Sequence, residues 1–239
     1  MLRNLFPALP TPGMMRPKSL AAIVFALCAA ALPVRAGESQ ALSLPLTLSL
    51  PLALSLPLAC GAEIPCIIQR HVDRAPGPEA RDFRCGRLTG NNHKGVDFRL
   101  TDMKQMRRGV EVRAAAKGRV RGLRNDFPDH RIDAYRPEDV VGRECGNGVV
   151  LDHGGGWTTQ YCHLRRGSVA VVKGQRVNAG ERLGLVGLSG QTNFPHVHFS
   201  LRHLKRVVDP FTGAKTGAKE RCDKTGPSLW TSAARAAPP

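Results

Sequence analysis

The sequence is poor in aromatic and acidic residues. Its 239 residues include two Trp and two Tyr, and 19 Asp and Glu stand against 35 Lys and Arg. The formal charge of +16 predicts an anionic partner, with a generally basic, solvated surface as the alternative. Nucleic acid is the usual partner of so basic a chain, but no nucleic-acid-binding motif is recognisable and aromatic residues are scarce. We therefore exclude nucleic acid.

Long hydrophobic runs are also absent. The apolar run at residues 20–34 is too short to span a bilayer comfortably, so no stable transmembrane span is expected. Basic residues precede it, and residues 34–36 (Val-Arg-Ala) resemble a signal-peptide cleavage site. Residues 1–36 are therefore predicted to be a signal peptide, with Met14 or Met15 as alternative starts. The mature chain, with a charge of about +12, is expected in the periplasm, outside the cell or at the cell wall, against an anionic envelope surface.

The cysteines lack the spacing of a thiolate metal site, since no pair is separated as Cys-x2-Cys or Cys-x4-Cys. Loss of Cys28 with the signal peptide leaves six, and an even number in an exported chain favours disulfides. Six cysteines allow 15 pairings. We expect Cys145 to pair with Cys162, because they lie on the two arms of a predicted hairpin, and Cys66 to pair with Cys85.

Composition divides the chain after the signal peptide into four parts. Residues 37–59 contain a Leu-Ser-Leu-Pro repeat whose prolines remove strand hydrogen bonds, and an extended, weakly ordered linker is predicted there. A lipidated Cys60 is the alternative, but Pro57 occupies the place where such a signal has leucine. An irregular, disulfide-tied lead-in follows at residues 60–90, then a catalytic domain at 91–212 and a tail at 213–239 that is frayed at its end.

Short alternating segments between turns predict an all-β catalytic domain, rich in antiparallel hairpins and supported by disulfides, with long loops. Gly154, Gly155 and Gly156 predict a tight hairpin turn, because glycine accepts positive φ. Residues 124–144 are predicted to form a long surface loop, where function is common. The predicted strands are residues 96–100, 110–114, 118–123, 148–152, 158–164, 182–186 and 197–202.

Four histidines and one aspartate, in three short segments, predict an open catalytic zinc site: His93, Asp97, His163, His196 and His198. Such a site needs three protein ligands for Zn²⁺ and further groups that handle the proton of a water molecule. Two residues four apart on a strand lie about 13 Å from each other. The chain must therefore bend near Gly95 if the first two residues bind one ion. The last two stand two apart on a strand and share one face.

These segments resemble the lysostaphin-type zinc endopeptidases of peptidoglycan, which have His-x3-Asp, then Tyr-x-His-Leu, then His-x-His followed by Phe. The resemblance covers residues 85–212. It implies zinc ligation by His93, Asp97 and His198, and proton chemistry by His163 and His196, with the role of each of the two left open.

The chain departs from this family pattern at two positions. Phe194 stands where the family often has glycine, which bears on the substrate groove, and Ser200 stands where it often has glutamate, which bears on the surroundings of the zinc ligands. A monomeric zinc endopeptidase acting on peptidoglycan peptides is the leading hypothesis, and a non-catalytic regulator of another wall hydrolase is the alternative. The remaining histidines are expected to be structural or on the surface: His71, His130, His153 and His203.

Overall fold

The computed structural model describes residues 52–61, 64–65, 67–75, 77–216, 222–223 and 226–236. The predicted signal peptide, most of the repeat and Cys66 lie outside the described residues. The strands are β1 (Ile67–Arg70), β2 (Val96–Arg99), β3 (Glu111–Arg113), β4 (Gly118–Arg124), β5 (Asn147–Gly154), β6 (Trp157–Leu164), β7 (Arg176–Val177), β8 (Arg182–Leu185), β9 (His196–His203) and β10 (Arg206–Val208). The helices are short: α1 (Met103–Arg108), α2 (Pro137–Val140), α3 (Ser232–Ala236) and a 3-10 turn at Ile132–Ala134.

The strands form two antiparallel sheets. The larger sheet has the order β1-β2-β9-β6-β5-β4-β7, with β10 paired to β9, and the smaller consists of β3 and β8. The predicted all-β, hairpin-rich fold class is confirmed. Each of the seven predicted strand segments overlaps an observed strand, whereas the two-residue β7, the lead-in strand β1 and the final β10 were not predicted. Among the described residues, no helix is long and apolar enough to cross a membrane.

Alternation along the strands separates the core from the functional face. On β9, Val197, Phe199 and Leu201 are at most 1% exposed and pack into the core. On β2, Val96 and Phe98 point into the same core. Because side chains of a strand alternate between faces, the intervening residues of both strands project from the opposite face. That face carries the candidate site residues of these two strands.

The central hairpin joins β5 and β6 through the predicted glycine turn. Gly154, Gly155 and Gly156 all have positive φ, between 56° and 80°. The predicted disulfide between Cys145 and Cys162 is present, with 4.8 Å between the Cα atoms. It ties the segment before β5 to β6 near the open end of the hairpin.

The expected pairing of Cys66 with Cys85 is wrong, because Cys85 is bonded to Cys222, 137 residues away. A long-range contact explains this partner. The segment after β10 returns to the lead-in, where the rings of Phe83 and Phe211 stack with 5.0 Å between centroids. Spacing along the sequence carries no information about such a return.

The expectation of a weakly ordered linker needs correction for residues 52–59, the part of the repeat that the structure describes. This segment is extended, as its prolines suggest, but it belongs to the core: Leu54 is 0% and Leu58 3% exposed. Leu54 exchanges backbone hydrogen bonds with Leu229 and Thr231, at 2.8 and 2.9 Å. The tail is ordered at this point, since Trp230 is buried beside it and α3 follows.

The predicted loop at residues 124–144 contains the 3-10 turn and α2, and it is fixed to the body of the domain. Phe127 is 2% exposed. The Asp129 carboxylate accepts hydrogen bonds from the backbone N–H groups of Arg166 and Leu188. The N–H of Ile132 donates to the carbonyl of Thr192. The loop therefore stands as a wall beside the segment that leads into β9.

Candidate metal centre and cleft

Antiparallel pairing of β2 with β9 places Asp97 directly opposite His198. The Nδ1 atom of His198 lies 2.8 Å from Oδ1 of Asp97. Asp97 is 4% exposed, so its carboxylate is largely out of water. Two of the predicted metal ligands thus meet through strand register alone.

The third predicted ligand reaches them because the chain bends at Gly95, immediately before β2. Nε2 of His93 lies 3.1 Å from Oδ1 of Asp97 and 3.2 Å from Nδ1 of His198. A Cβ atom at Gly95 would lie 2.5 Å from the Phe199 carbonyl oxygen and 2.6 Å from Nε2 of His198. Glycine is therefore required there by close approach, and the predicted bend is present.

The three ligand atoms suit a tetrahedral zinc ion. With bonds of about 2.0–2.1 Å, the ligand atoms of such an ion lie about 3.3 Å apart, and these three lie 2.8–3.2 Å apart. His93 donates its Nδ1–H to the His71 carbonyl at 2.7 Å, which leaves Nε2 as an acceptor facing a carboxylate. Acceptors that face one another at this distance need a proton or a cation between them.

The charge state of the cluster is consistent with a cation. Burial alone raises the pKa of the Asp97 carboxyl, but hydrogen bonds from His198 and His93 hold that pKa well below its usual range. Burial alone lowers the pKa of His93, and its hydrogen bond with Asp97 reverses the direction. The lowered pKa keeps Asp97 ionised at neutral pH although its position is largely buried.

His163 enters the site through an irregularity of β6. The pairing of β5 with β6 shifts from Gly148 opposite Cys162 to Asn147 opposite Leu164, so His163 is an extra residue on its strand. Its φ of 64° is unusual for a residue with a side chain. Bulges of this kind redirect a side chain, and here the imidazole ring of His163 stands 4.6 Å from that of His196, centroid to centroid.

The two predicted proton-handling histidines share a hydrogen-bonding pattern. His163 donates Nδ1–H to the Ser189 carbonyl and His196 donates Nδ1–H to the Phe194 carbonyl, both at 2.8 Å. Nε2 of His196 lies 3.6 Å from Oδ1 of Asp97. Burial lowers the pKa of His196, and burial together with the neighbouring histidines lowers the pKa of His163 strongly. Both rings are therefore neutral at pH 7 and keep Nε2 as a free acceptor.

All five predicted residues line one cleft of about 820 Å³. The loop at residues 124–144 contributes Ile132 and Glu144 to its wall, and Phe194 lies in the segment before β9. The guanidinium of Arg99 stands 5.6 Å from the ring centroid of Phe194. Ser200 donates its hydroxyl to the Lys94 carbonyl, which fastens the chain between His93 and Gly95 to β9.

Residues next to the predicted site residues differ in whether they reach the cleft. Tyr161 is fully buried and its hydroxyl accepts the Ala115 N–H at 2.7 Å, so it does not line the cleft. The ring of His153, which was expected to be structural or on the surface, hydrogen-bonds with the Lys117 carbonyl and the Thr159 hydroxyl. Asn92, in contrast, does line the cleft.

Two contributors to the cleft were missed from the sequence. The carbonyl of His71, which orients His93, has no sequence signal, because any residue carries a carbonyl. The second is Arg202, which stands near the end of β9 but is half-buried and lines the cleft. Its even-numbered position on β9, shared with His196 and His198, was the available signal.

Comparison with known proteins places the cleft in a family context. The family model "Peptidase family M23" matches residues 91–210. Cell division protein DipM of Caulobacter vibrioides is 31% identical over 121 residues, which cover 51% of this chain and 16% of DipM. Peptidoglycan DD-endopeptidase ShyA of Vibrio cholerae is 45% identical over 64 residues, which cover 27% of this chain and 14% of ShyA.

Among solved structures, a zinc containing peptidase from Vibrio cholerae matches with a TM-score of 0.45 and 24% identity, over 66% of this chain and 39% of that chain. The matched segments of DipM and ShyA are less than a fifth of each protein, at 16% and 14%. The chain therefore spans a small part of the length of these relatives.

Proposed function

Because the chain belongs to peptidase family M23, we propose that it is a zinc-dependent endopeptidase that hydrolyses peptide bonds in the stem peptides or cross-links of bacterial peptidoglycan. The observation that carries the proposal is the cluster of His93, Asp97 and His198, whose facing atoms lie close enough together to hold one metal ion. The match to a peptidoglycan DD-endopeptidase supports the substrate class. Since peptidoglycan lies outside the cytoplasmic membrane, the proposal includes export to the periplasm or cell wall.

The three ligands leave a fourth position for water or substrate, as catalytic zinc sites require. A zinc ion held by these residues would act as a Lewis acid for the scissile carbonyl and would lower the pKa of a water molecule towards neutral pH. His93 is held for this role by its hydrogen bond to the His71 carbonyl, which fixes the tautomer that offers Nε2. Asp97 supplies the negative charge that favours a divalent cation.

His163 and His196 carry the proton chemistry in this proposal. Each offers a neutral Nε2, since its Nδ1–H is engaged by a backbone carbonyl. One Nε2 accepts a proton as the water oxygen bonds to the carbonyl carbon. The same atom then donates that proton to the amide nitrogen as the carbon–nitrogen bond breaks. The nearness of His196 to Asp97 makes it the proposed base, with His163 beside it as its partner.

A comparison of three variants of the full chain tests this function. We expect the wild type to bind about one zinc and to release soluble peptides from purified peptidoglycan. His163→Ala is expected to keep zinc and to lose activity by about 10²–10⁴-fold, the usual contribution of a general acid or base. His93→Ala is expected to lose zinc and activity together. His130→Ala is the matched control, because His130 is exposed and does not line the cleft.

Metal analysis and mass spectrometry of the released fragments give both readouts, and the fragments name the bond that is cut. If the wild type and His163→Ala were equally inactive on peptidoglycan from several bacteria but both bound it, the proposed enzymatic activity would be overturned. A regulator that binds peptidoglycan would then be favoured. Full zinc content in His93→Ala would overturn the ligand assignment.

A further inference from the structure

Arg202 occupies an unusual position for an arginine near a strand end. It lies on β9 at the same parity as His196 and His198, so its side chain leaves the strand on the functional face. It lines the cleft together with Gln160 of the neighbouring strand β6. The sheet register fixes this location, since Arg202 pairs with Thr158 and Ser200 with Gln160.

The guanidinium of Arg202 is partly withdrawn from water without a compensating anion. The side chain is half-buried, and burial lowers its pKa, although an arginine remains protonated at any physiological pH. Within the part of the chain that the structure describes, no carboxylate lies within salt-bridge distance of it. A desolvated cation gains most when an anion arrives with bidentate hydrogen bonds.

The charges around the cleft make an anionic group the matching ligand. Two further cations line it, Arg70 and Lys94, and both are exposed. The acidic residues of the lining are Asp97, which faces the metal ligands, and Glu144, which belongs to the loop wall. The exposed cations attract anions over a distance, whereas the half-buried guanidinium can fix one carboxylate in a defined orientation.

The distance to the metal centre sets which part of a substrate would reach Arg202. Arg202 is four positions after His198 along an extended strand, or about 13 Å away between Cα atoms. An extended peptide in the cleft covers the same distance with about four residues. A group bound at Arg202 therefore lies within about four residues of the bond at the metal centre.

We propose that Arg202 anchors a subsite for a free carboxylate of the peptide substrate, located along β9 from the metal centre. The proposal rests on the proposed peptidase function and deepens it, because it assigns the substrate class as a peptide with an unamidated carboxylate near the scissile bond. The guanidinium binds the two carboxylate oxygens and sets the register of the peptide. Gln160 stands beside the subsite as a neutral hydrogen-bonding group.

The test compares one substrate in two charge states. Cross-linked peptides released from peptidoglycan are used as prepared and after carbodiimide coupling to ammonia, which turns their carboxylates into amides. The wild type is expected to show a kcat/KM at least about tenfold higher for the carboxylate form, the effect of one charge-assisted hydrogen bond. Arg202→Gln should lose this preference, and Arg202→Lys should keep part of it because it retains charge without the planar fork.

Arg182→Gln is the matched control, since Arg182 is exposed on β8 and does not line the cleft. It should keep the wild-type preference. An equal loss on both substrate forms in Arg202→Gln, or a wild type without preference, would overturn the subsite.

Direct binding separates failure of the subsite from failure of the proposed function. If the wild type hydrolyses neither form, titration calorimetry of the two forms against wild type and Arg202→Gln still measures the subsite. If the wild type binds the carboxylate form more tightly than the amide form and Arg202→Gln does not, the subsite is upheld although the peptidase function has failed. If the wild type binds both forms equally, the subsite is overturned.

Discussion

Three histidines of the cleft make the same kind of hydrogen bond, in which Nδ1–H donates to a backbone carbonyl. The carbonyls belong to His71, Ser189 and Phe194, and the rings to His93, His163 and His196. The arrangement fixes each ring in one tautomer and turns Nε2 towards the cleft. His198 differs, because it faces Asp97 with Nδ1. Tautomer control is thus a property of backbone geometry at each of the three rings.

Gly95 provides a prediction at the scale of one residue. In Gly95→Ala, the added Cβ meets a backbone carbonyl oxygen at 2.5 Å and Nε2 of His198 at 2.6 Å. The carbonyl belongs to a strand within the sheet and cannot move freely, so the ligand ring must shift. We expect zinc affinity to fall by about 10- to 100-fold, as for losses in the groups that support metal ligands. Competition with a chelator of known affinity measures this.

Gly122→Ala is the control for that variant. A Cβ at Gly122 meets no atom within 4 Å, and Gly122 also lies in the large sheet. It should bind zinc as the wild type does. Wild-type zinc affinity in Gly95→Ala would contradict the close-approach argument.

At the scale of elements, alternation predicted where strands lie but not where they are irregular. Buried Val149 and Leu151 flank the partly exposed Val150, Tyr161 follows the partly exposed Gln160, and the glycine turn marks the hairpin, so β5 and β6 follow from the sequence. The extra residue at His163 does not, because a bulge depends on how two strands pair. The sequence therefore identified His163 as a candidate site residue and the family resemblance implied its role, while its orientation comes from the bulge.

Short elements were missed for a related physical reason. The six residues of α1 contain no buried side chain and are capped by Asp102, whose carboxylate accepts the Gln105 N–H. Such a helix has no apolar periodicity for a sequence argument to detect. The two residues of β7 are likewise too few to show alternation.

His153, on the hairpin of β5 and β6, gives a prediction about how stability depends on pH. Burial lowers the pKa of His153 from 6.5, and its two ring nitrogens bond the Lys117 carbonyl and the Thr159 hydroxyl. Since its pKa is lower in the folded than in the unfolded state, the unfolded chain binds the proton first as pH falls. Stability from this residue is complete above about pH 6.5 and declines below it, towards the folded pKa.

Urea unfolding of the zinc-free chain at pH 7.5 and pH 5.5 measures the decline. His153→Gln should show a smaller decline than the wild type, because one fewer group gains a proton on unfolding. The other buried histidines contribute equally to both proteins, so the difference isolates His153. Equal declines in the two proteins would contradict the prediction.

At the scale of the whole molecule, early and late segments of the described chain meet at the core. Cys85 is bonded to Cys222, and the end of the repeat runs beside Trp230. Neither contact could be predicted, because both join segments more than 130 residues apart. The prolines of the repeat correctly predicted an extended chain, but composition could not show that its leucines are buried.

Leu54 tests whether the repeat is part of the folded domain. Its side chain is 0% exposed within the same core cluster as Phe98 and Trp230. Leu54→Ala should lower the free energy of unfolding by about 2–5 kcal/mol, the range for a buried leucine that leaves a cavity. Leu88→Ala, at a residue 49% exposed, should change it by less than about 0.5 kcal/mol. Urea unfolding of both variants measures the difference. Equal, small effects would return the repeat to the role of a linker, whereas the expected result makes residues 52–59 a structural segment that any shortened form of the domain must retain.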